Sequence, residues 1–467
     1  MAAILNRIRS HHKINIILFS GLLAFVAPQV LANVSESTAP RAAVTFLEIA
    51  LILVLAKVFS IVERWKQPAV LGELLVGVIL GNLALIGIHW FDAYKVDPNL
   101  RFLAELGVAI LLFRTGLESN VSEMRRVGFR AFLIALAGVV ITFSLGAFVV
   151  GPWLLPTLST TAHYFLGAAL TATSVGISAR VFTDLGKIRT PEAKLVVGAA
   201  VIDDVIGLVV LAVVTGMVTT GAISFGVVSL TLGKAIIFLV GAIVLGQICA
   251  PRLSKIFSKI HAGAGTKFTL VIGFCLLFGS VAEQFGLAPI IGAFAAGLVL
   301  DPIQFASFKN ARIAEELKTE LETEDSSFKH KILRIVHAHE ERHIDDLVEP
   351  LAHFLVPIFF VLTGMNVDIS SLFNPKVLLL AAALTTIAFV GKYCSSFFAG
   401  PNVNKMVIGF GMIPRGEVQL IFAAIGKELG VVSPEVFSAI VIVVIASTLL
   451  SPILLGYALG KTPAEQA

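Results

Sequence analysis

Long apolar runs separated by short polar loops fill the chain from about residue 43 almost to its end. Each run approaches the roughly twenty residues that a helix needs to cross a bilayer. The pattern predicts about thirteen transmembrane helices, near residues 43–63, 69–91, 102–117, 129–152, 163–183, 193–216, 225–248, 266–284, 287–304, 350–367, 376–397, 405–426 and 434–459. Basic residues concentrate in alternate loops. One set holds Arg64 and Lys66; Arg125, Arg126 and Arg130; Lys187, Arg189 and Lys194; Arg252, Lys255 and Lys259; the segment 305–348; and Lys405. The other set holds little beyond Lys95, Arg101, Lys376 and Lys427. The positive-inside rule then puts the start of the first helix outside and the C-terminus in the cytoplasm.

Before the first helix, Arg7, Arg9 and Lys13 precede the apolar run Ile14–Ala27, and Val30-Leu31-Ala32 offers small residues for cleavage. Residues 1–32 read as a signal peptide, with an uncleaved signal anchor as the alternative. The 305–348 segment is a cytoplasmic insertion rich in Glu, Lys and His, with helical patterning at Ala311–Leu321 and Ile332–Val336. A solvated helical linker is its simplest reading, and its four histidines admit a pH sensor.

Two halves echo each other. Leu71–Gly81 (LGELLVGVILG) matches Leu287–Gly297 (LAPIIGAFAAG), and Thr115-Gly116 near the end of the third helix matches Thr363-Gly364 in the tenth. The displacement is an odd number of helices, so the copies insert with opposite orientation. Inverted repeats of this kind build secondary transporters, with the site at the midplane. The same displacement pairs the fifth and twelfth helices, and both are interrupted: by Thr171-Ala172-Thr173-Ser174-Val175-Gly176 and by Met412-Ile413-Pro414-Arg415-Gly416-Glu417. Such stretches predict two crossing broken helices, whose half-helix ends need charge compensation. Arg415 and Glu417 either neutralise those ends or pair with each other.

Composition agrees with a polytopic membrane protein: 57% of residues are hydrophobic and 14% charged, and the mean hydropathy is +0.92. The net charge of +4 comes from lysine and arginine in the short loops, and no basic-aromatic cluster of the nucleic-acid type is present. Cys249, Cys275 and Cys394 all lie in apolar segments, odd in number and without metal spacing.

Against this background Asp203 and Asp204 stand out, adjacent in the middle of the run Ala193–Gly216. An acid at the bilayer centre costs about 2.5–3.5 kcal/mol on insertion scales, and such residues mark ion or proton pathways. The sixth helix should repeat as the thirteenth, yet Val436–Leu450 carries no acid. The natural counter-charge is Lys392 in the eleventh helix, unless that lysine snorkels to the cytoplasmic face. Neighbouring residues on a helix point about 100° apart, so one aspartate can meet the lysine while the other faces a cavity. Two such carboxylates resist being charged together. A cation favours the ionised acid and a proton expels the cation, which couples the two flows.

These motifs resemble the cation:proton antiporter-2 family over nearly all of residues 43–460. The resemblance rests on Gln67-Pro68-Ala69-Val70-Leu71-Gly72-Glu73-Leu74, on Glu105-Leu106-Gly107 through Gly116-Leu117-Glu118, on Thr171–Gly176, on Val201-Ile202-Asp203-Asp204, on Lys392 and on Pro414-Arg415-Gly416-Glu417. The Asp-Asp pair with a membrane lysine is similar to NapA-like electrogenic Na+/H+ exchangers. The resemblance implies an all-α transporter, not an enzyme, with a core domain and a dimerisation domain, working as a homodimer by alternating access without a cofactor. Its substrates would be Na+ or Li+ and protons, with K+/H+ antiport as the alternative. It implies that Asp204 binds ion and proton, that Asp203 pairs with Lys392, and that Thr173 joins them in the ion- and proton-binding set. Potassium efflux systems of the same family carry Gln-Asp at the pair, unlike this chain. A bacterial plasma membrane is the expected setting, with a thylakoid-type internal membrane as the alternative. Asn82 stands where relatives often have proline, which leaves the end of the second helix open.

Overall fold

The computed structural model describes residues 41–65, 67–118, 128–221, 225–261, 263–300 and 327–460. The signal-peptide segment 1–32 and the 301–326 part of the insertion lie outside them. Helix occupies every one of the predicted segments: α1 Arg41–Phe59, α2 Ala69–Gly81, α3 Pro98–Glu118, α4 Phe129–Ser144, α5a Thr160–Ala169 and α5b Val175–Asp184, α6 Pro191–Thr220, α7 Phe225–Ile260, α8 Ala264–Gln284, α9 Pro289–Val299, α10 Ser327–Met365, α11 Pro375–Ser395, α12a Lys405–Gly411 and α12b Glu417–Glu428, and α13 Pro434–Gly460. No strand occurs among the described residues. A chain immersed in lipid must satisfy each backbone N–H and C=O within its own segment, which leaves helix as the default for apolar runs. Eight of these elements are long and apolar enough to cross a membrane. The chain is an integral, multi-pass membrane protein.

Local chemistry sets the ends. Ser159, Ser174, Thr190, Asn374 and Asn404 each accept a hydrogen bond from a first-turn backbone N–H of α5a, α5b, α6, α11 and α12a, the ordinary work of an N-cap side chain. Pro191 and Pro375 occupy the first helical position, where a missing N–H costs nothing. Beyond Ser144 helix α4 continues through a π-helical turn, Leu145–Val150, to Leu154. Apolar side chains such as Phe132, Val140, Ile237 and Leu245 remain exposed on α4 and α7, as a lipid-facing surface requires.

Three boundaries differ from the sequence expectation. Helix α7 continues to Ile260 instead of ending near residue 248, so Arg252, Lys255 and Lys259 lie on the helix and not in a loop. Helix α2 stops at Gly81 instead of running to residue 91. Asn82 ends it: its Nδ2 donates to the carbonyls of Val78 (2.8 Å) and Val367 (2.7 Å), and its Oδ1 accepts from the Ile369 N–H (3.0 Å). The insertion differs too, since residues 327–348 belong to the same continuous helix as the apolar stretch Ile344–Met365.

The helices pack mainly as two groups. In one, α3 lies against α9 and α10, α2 against α10, and α8 against α9. Backbone contact through glycine makes this possible, for a Cβ on Gly77 would sit 2.2 Å from the Val361 carbonyl oxygen and 2.9 Å from the Gly364 Cα. Likewise a Cβ on Gly116 would sit 2.2 Å from the Phe294 oxygen and 3.1 Å from the Gly297 Cα. Both Thr-Gly segments are therefore used alike, each against a glycine of the other half. In the second group α4 lies against α6 and α11, α11 against α13, α5a against the π turn, and α12a and α12b against α13. Helix α7 touches both α6 and α9, and so joins the groups.

Candidate functional site

Both predicted interruptions are present, at 170–174 and 412–416, and they cross in direct contact. The Ser174 N–H donates to the Pro414 carbonyl (2.9 Å), Thr173 Oγ1 to the Met412 carbonyl (3.3 Å) and Ser178 Oγ to the Gly411 carbonyl (2.8 Å). Gly416 permits this approach, because a Cβ there would come within 2.8 Å of the Ser174 side chain.

Arg415 is wholly buried at the crossing. Its Nη1 donates to the carbonyls of Thr171 (3.0 Å) and Ala172, and its Nη2 to the carbonyl of Ala388 on α11 (3.2 Å). Helix α13 clamps its backbone: the Arg415 N–H donates to Ser447 Oγ (3.2 Å), and Thr448 Oγ1 donates to the Arg415 carbonyl (3.0 Å). The guanidinium thus sits beside carbonyls just past the end of α5a, where helix dipoles leave partial negative charge. Glu417 is the first residue of α12b, the positive end of that half-helix, and it accepts from Ser174 Oγ at 3.3 and 3.5 Å. Of the two sequence alternatives, the geometry follows compensation: each charge answers a half-helix end of opposite sign.

Asp203 and Asp204 lie midway along α6, at 0% and 2% exposure. Lys392 is also fully buried, and its Nζ donates to Asp203 Oδ1 at 2.5 Å. The lysine turns inward and does not snorkel. Room for its head comes from Gly138 on α4, where a Cβ would stand 3.2 Å from Nζ. Thr142, one turn on, packs against Gly391. Asp203 Oδ2 and Asp204 Oδ1 are buried without a hydrogen-bond partner among the described residues. An ion pair in such surroundings depends on both members, since removing one strands an uncompensated charge.

Of the residues singled out in the sequence, Asp203 and Lys392 are in contact, Asp204 follows Asp203 in the chain, and Arg415 and Glu417 flank the crossing. Thr173 is part of the crossing itself. Gly138, Thr142, Ser447, Thr448 and Gln419 complete these surroundings without having been anticipated. The last is fully buried, with both amide atoms unpartnered among the described residues; a glutamine in an otherwise apolar run was the available signal. Among the described residues, no group of three or more His, Cys, Asp or Glu converges as a resident metal site would.

A sequence model described as "Sodium/hydrogen exchanger, transmembrane" matches residues 49–459. The chain is similar to the high-affinity Na+/H+ antiporter NhaS3 of Synechocystis sp., with 34% identity over 427 residues covering 83% of this chain and 84% of that protein. It is also similar to the Na+/H+-K+ antiporter GerN of Bacillus cereus, with 32% identity over 422 residues covering 89% and 96%. Among solved structures, the sodium proton antiporter MjNhaP1 of Methanocaldococcus jannaschii superposes with a TM-score of 0.62 at 20% identity, covering 88% of this chain and 97% of that one. That last likeness speaks to the fold alone.

Proposed function

The chain belongs to the sodium/hydrogen exchanger family, and from that membership we propose that it exchanges Na+ for protons across its membrane, with Asp204 holding each in turn. The observation that carries this reading is the unequal state of two adjacent carboxylates. Asp203 is tied to Lys392 at 2.5 Å, whereas Asp204 Oδ1 is buried without a hydrogen-bond partner among the described residues. An acid so placed gains from binding either a proton or a cation, and binding one disfavours the other. Competition at a single group couples the two flows when the site opens to one side at a time. Helices α4–α6 and α11–α13, which carry the site, move as the core domain against the other helices, which pair in a homodimer. About two protons exchange for each Na+, so transport responds to membrane voltage.

Purified protein in proteoliposomes with an imposed ΔpH tests the reading. Adding Na+ or Li+ should dissipate ΔpH in the wild type and not in Asp204→Asn; dissipation surviving that substitution overturns it. The relative described as a Na+/H+-K+ antiporter makes K+ a necessary arm. Dissipation by K+ at the Na+ rate would favour K+/H+ antiport. Competition also predicts that the apparent KM for Na+ rises as pH falls.

A further inference from the structure

Helices α10 and α12 both end on the outer side by the loop charges, and their ends are bonded to each other. Lys427, in the last turn of α12b, donates from Nζ to Asn366 Oδ1 at 2.7 Å, and Asn366 directly follows α10. Helix α12b packs with α13, whereas α10 packs with α2 and α3, so this bond joins the two helix groups. The connection after α10 stays with its own group, because Asn82 at the end of α2 holds Val367 and Ile369 at 2.7 and 3.0 Å. From the other group, Ser438 Oγ on α13 accepts from the Asp368 N–H at 3.2 Å.

Lys427 is also held from behind. Its Nζ stands 5.0 Å from the ring centroid of Phe437, a buried residue of α13, which is a cation–π contact within its own group. On the inner side the groups meet differently. Arg180 of α5b stands 3.7 Å from Glu63, just past α1, and both side chains are half-exposed. An ion pair open to solvent contributes little. A hydrogen bond from an ammonium is worth about tenfold or more in an equilibrium constant. The outer side is the more firmly closed of the two.

We propose that Lys427 and Asn366 form an outer latch: their bond closes the outer side, and each exchange cycle breaks and remakes it. This rests on the reading above, in which α4–α6 and α11–α13 move against the other helices. Phe437 keeps the ammonium in place while the bond is open, so the latch re-forms without reordering the lysine. Closing the outer side favours the state in which the site faces inward.

Right-side-out and inverted membrane vesicles carrying the full chain present Na+ to one face or the other, and ΔpH dissipation gives a KM for each. The ratio of inner to outer KM scales with the equilibrium between outward-open and inward-open states. Lys427→Met keeps an apolar stem against Phe437 and loses the bond. Its ratio should rise about tenfold, with the outer KM falling and the inner KM rising. Asn366→Asp gives the ammonium a carboxylate partner and should lower the ratio about threefold, the worth of a half-exposed ion pair. Surface charge alone predicts otherwise. Both substitutions make the outer face more negative, so both would lower the outer KM and leave the inner KM, far beyond a Debye length of about 8 Å, unchanged. That pattern overturns the latch, as does a wild-type ratio in Lys427→Met; if that variant fails to fold, an unchanged or raised ratio in Asn366→Asp does so. Failure of the exchange reading looks different, because then Asp204→Asn dissipates ΔpH as the wild type does.

Discussion

The pair α5–α6 and the pair α12–α13 share one plan: a helix broken near its middle, then a long helix packed beside it. Their chemistry is opposite. The first break, 170–174, is neutral and offers carbonyls and hydroxyls, while its long helix carries two carboxylates at mid-length, Asp203 and Asp204. The second break carries Arg415 beside Glu417, and its long helix meets it there with the hydroxyls of Ser447 and Thr448. Contacts join the halves at three places, Arg415 to Thr171 and Ala172, Ser174 to Glu417, and Lys392 to Asp203, while Ala388, Ser447 and Thr448 hold Arg415 from within its own half. A near-symmetric frame thus holds an asymmetric set of charges, and neither half has a site without the other.

The comparison is most exposed at Arg415. Replacing it with Met keeps the volume, removes the cation and takes away the side-chain donor to the carbonyls of Thr171, Ala172 and Ala388. Breaking a buried charged network costs about 3–5 kcal/mol, so the melting temperature in detergent should fall well below wild type and exchange should be abolished. Arg415→Lys should restore little, because one ammonium cannot reproduce the guanidinium fork. A stable, active Arg415→Met would mean that the second half's charge is dispensable.

Lys392→Ala tests the next contact. Asp203 would stay buried without its partner, and stability should drop by about 3 kcal/mol, somewhat less than for Arg415→Met because one contact is lost instead of three. Asp203→Asn combined with Lys392→Ala should recover most of that loss, since no charge is then stranded. A double-mutant cycle on melting temperature measures the coupling. Additive losses would show that the pair contributes nothing as a pair. The same single variant should respond less to an imposed membrane voltage than the wild type does.

Much of this was legible in the sequence because intramembrane charge and broken apolar runs are costly, and therefore conspicuous. The two interruptions announced themselves through Pro414, Gly416 and the hydroxyls of 171–174. Lys392 was found as the counter-charge because a membrane-buried lysine has few alternatives. What remained hidden was relational. Gly138 is one glycine among 39, and only the packed structure shows that it makes room for the lysine head. The end of α2 depends on bonds from Asn82 to Val367 and Ile369, residues far along the chain, which no local pattern encodes. The choice between Arg415 and Glu417 pairing together or serving separate half-helix ends also needed the crossing itself.

The smallest effect expected at the crossing belongs to Ser174, and it separates structure from transport. Its hydroxyl accepts from the Ile177 N–H as the N-cap of α5b, and donates to Glu417 over a long 3.3–3.5 Å. Loss of an N-cap side chain costs about 1 kcal/mol. Ser174→Ala should therefore lower the melting temperature slightly and leave exchange measurable, with little change in the KM for Na+. Ser174→Thr keeps the hydroxyl, but Gly416 is already close enough that an added Cβ would reach the Ser174 side chain at 2.8 Å. The extra methyl has little space, so Thr should disturb the crossing more than Ala does. Should Ala prove the more damaging variant, the hydrogen bond from the neutral half to Glu417 would outweigh the fit between the two breaks. The contacts between the halves would then need ranking afresh.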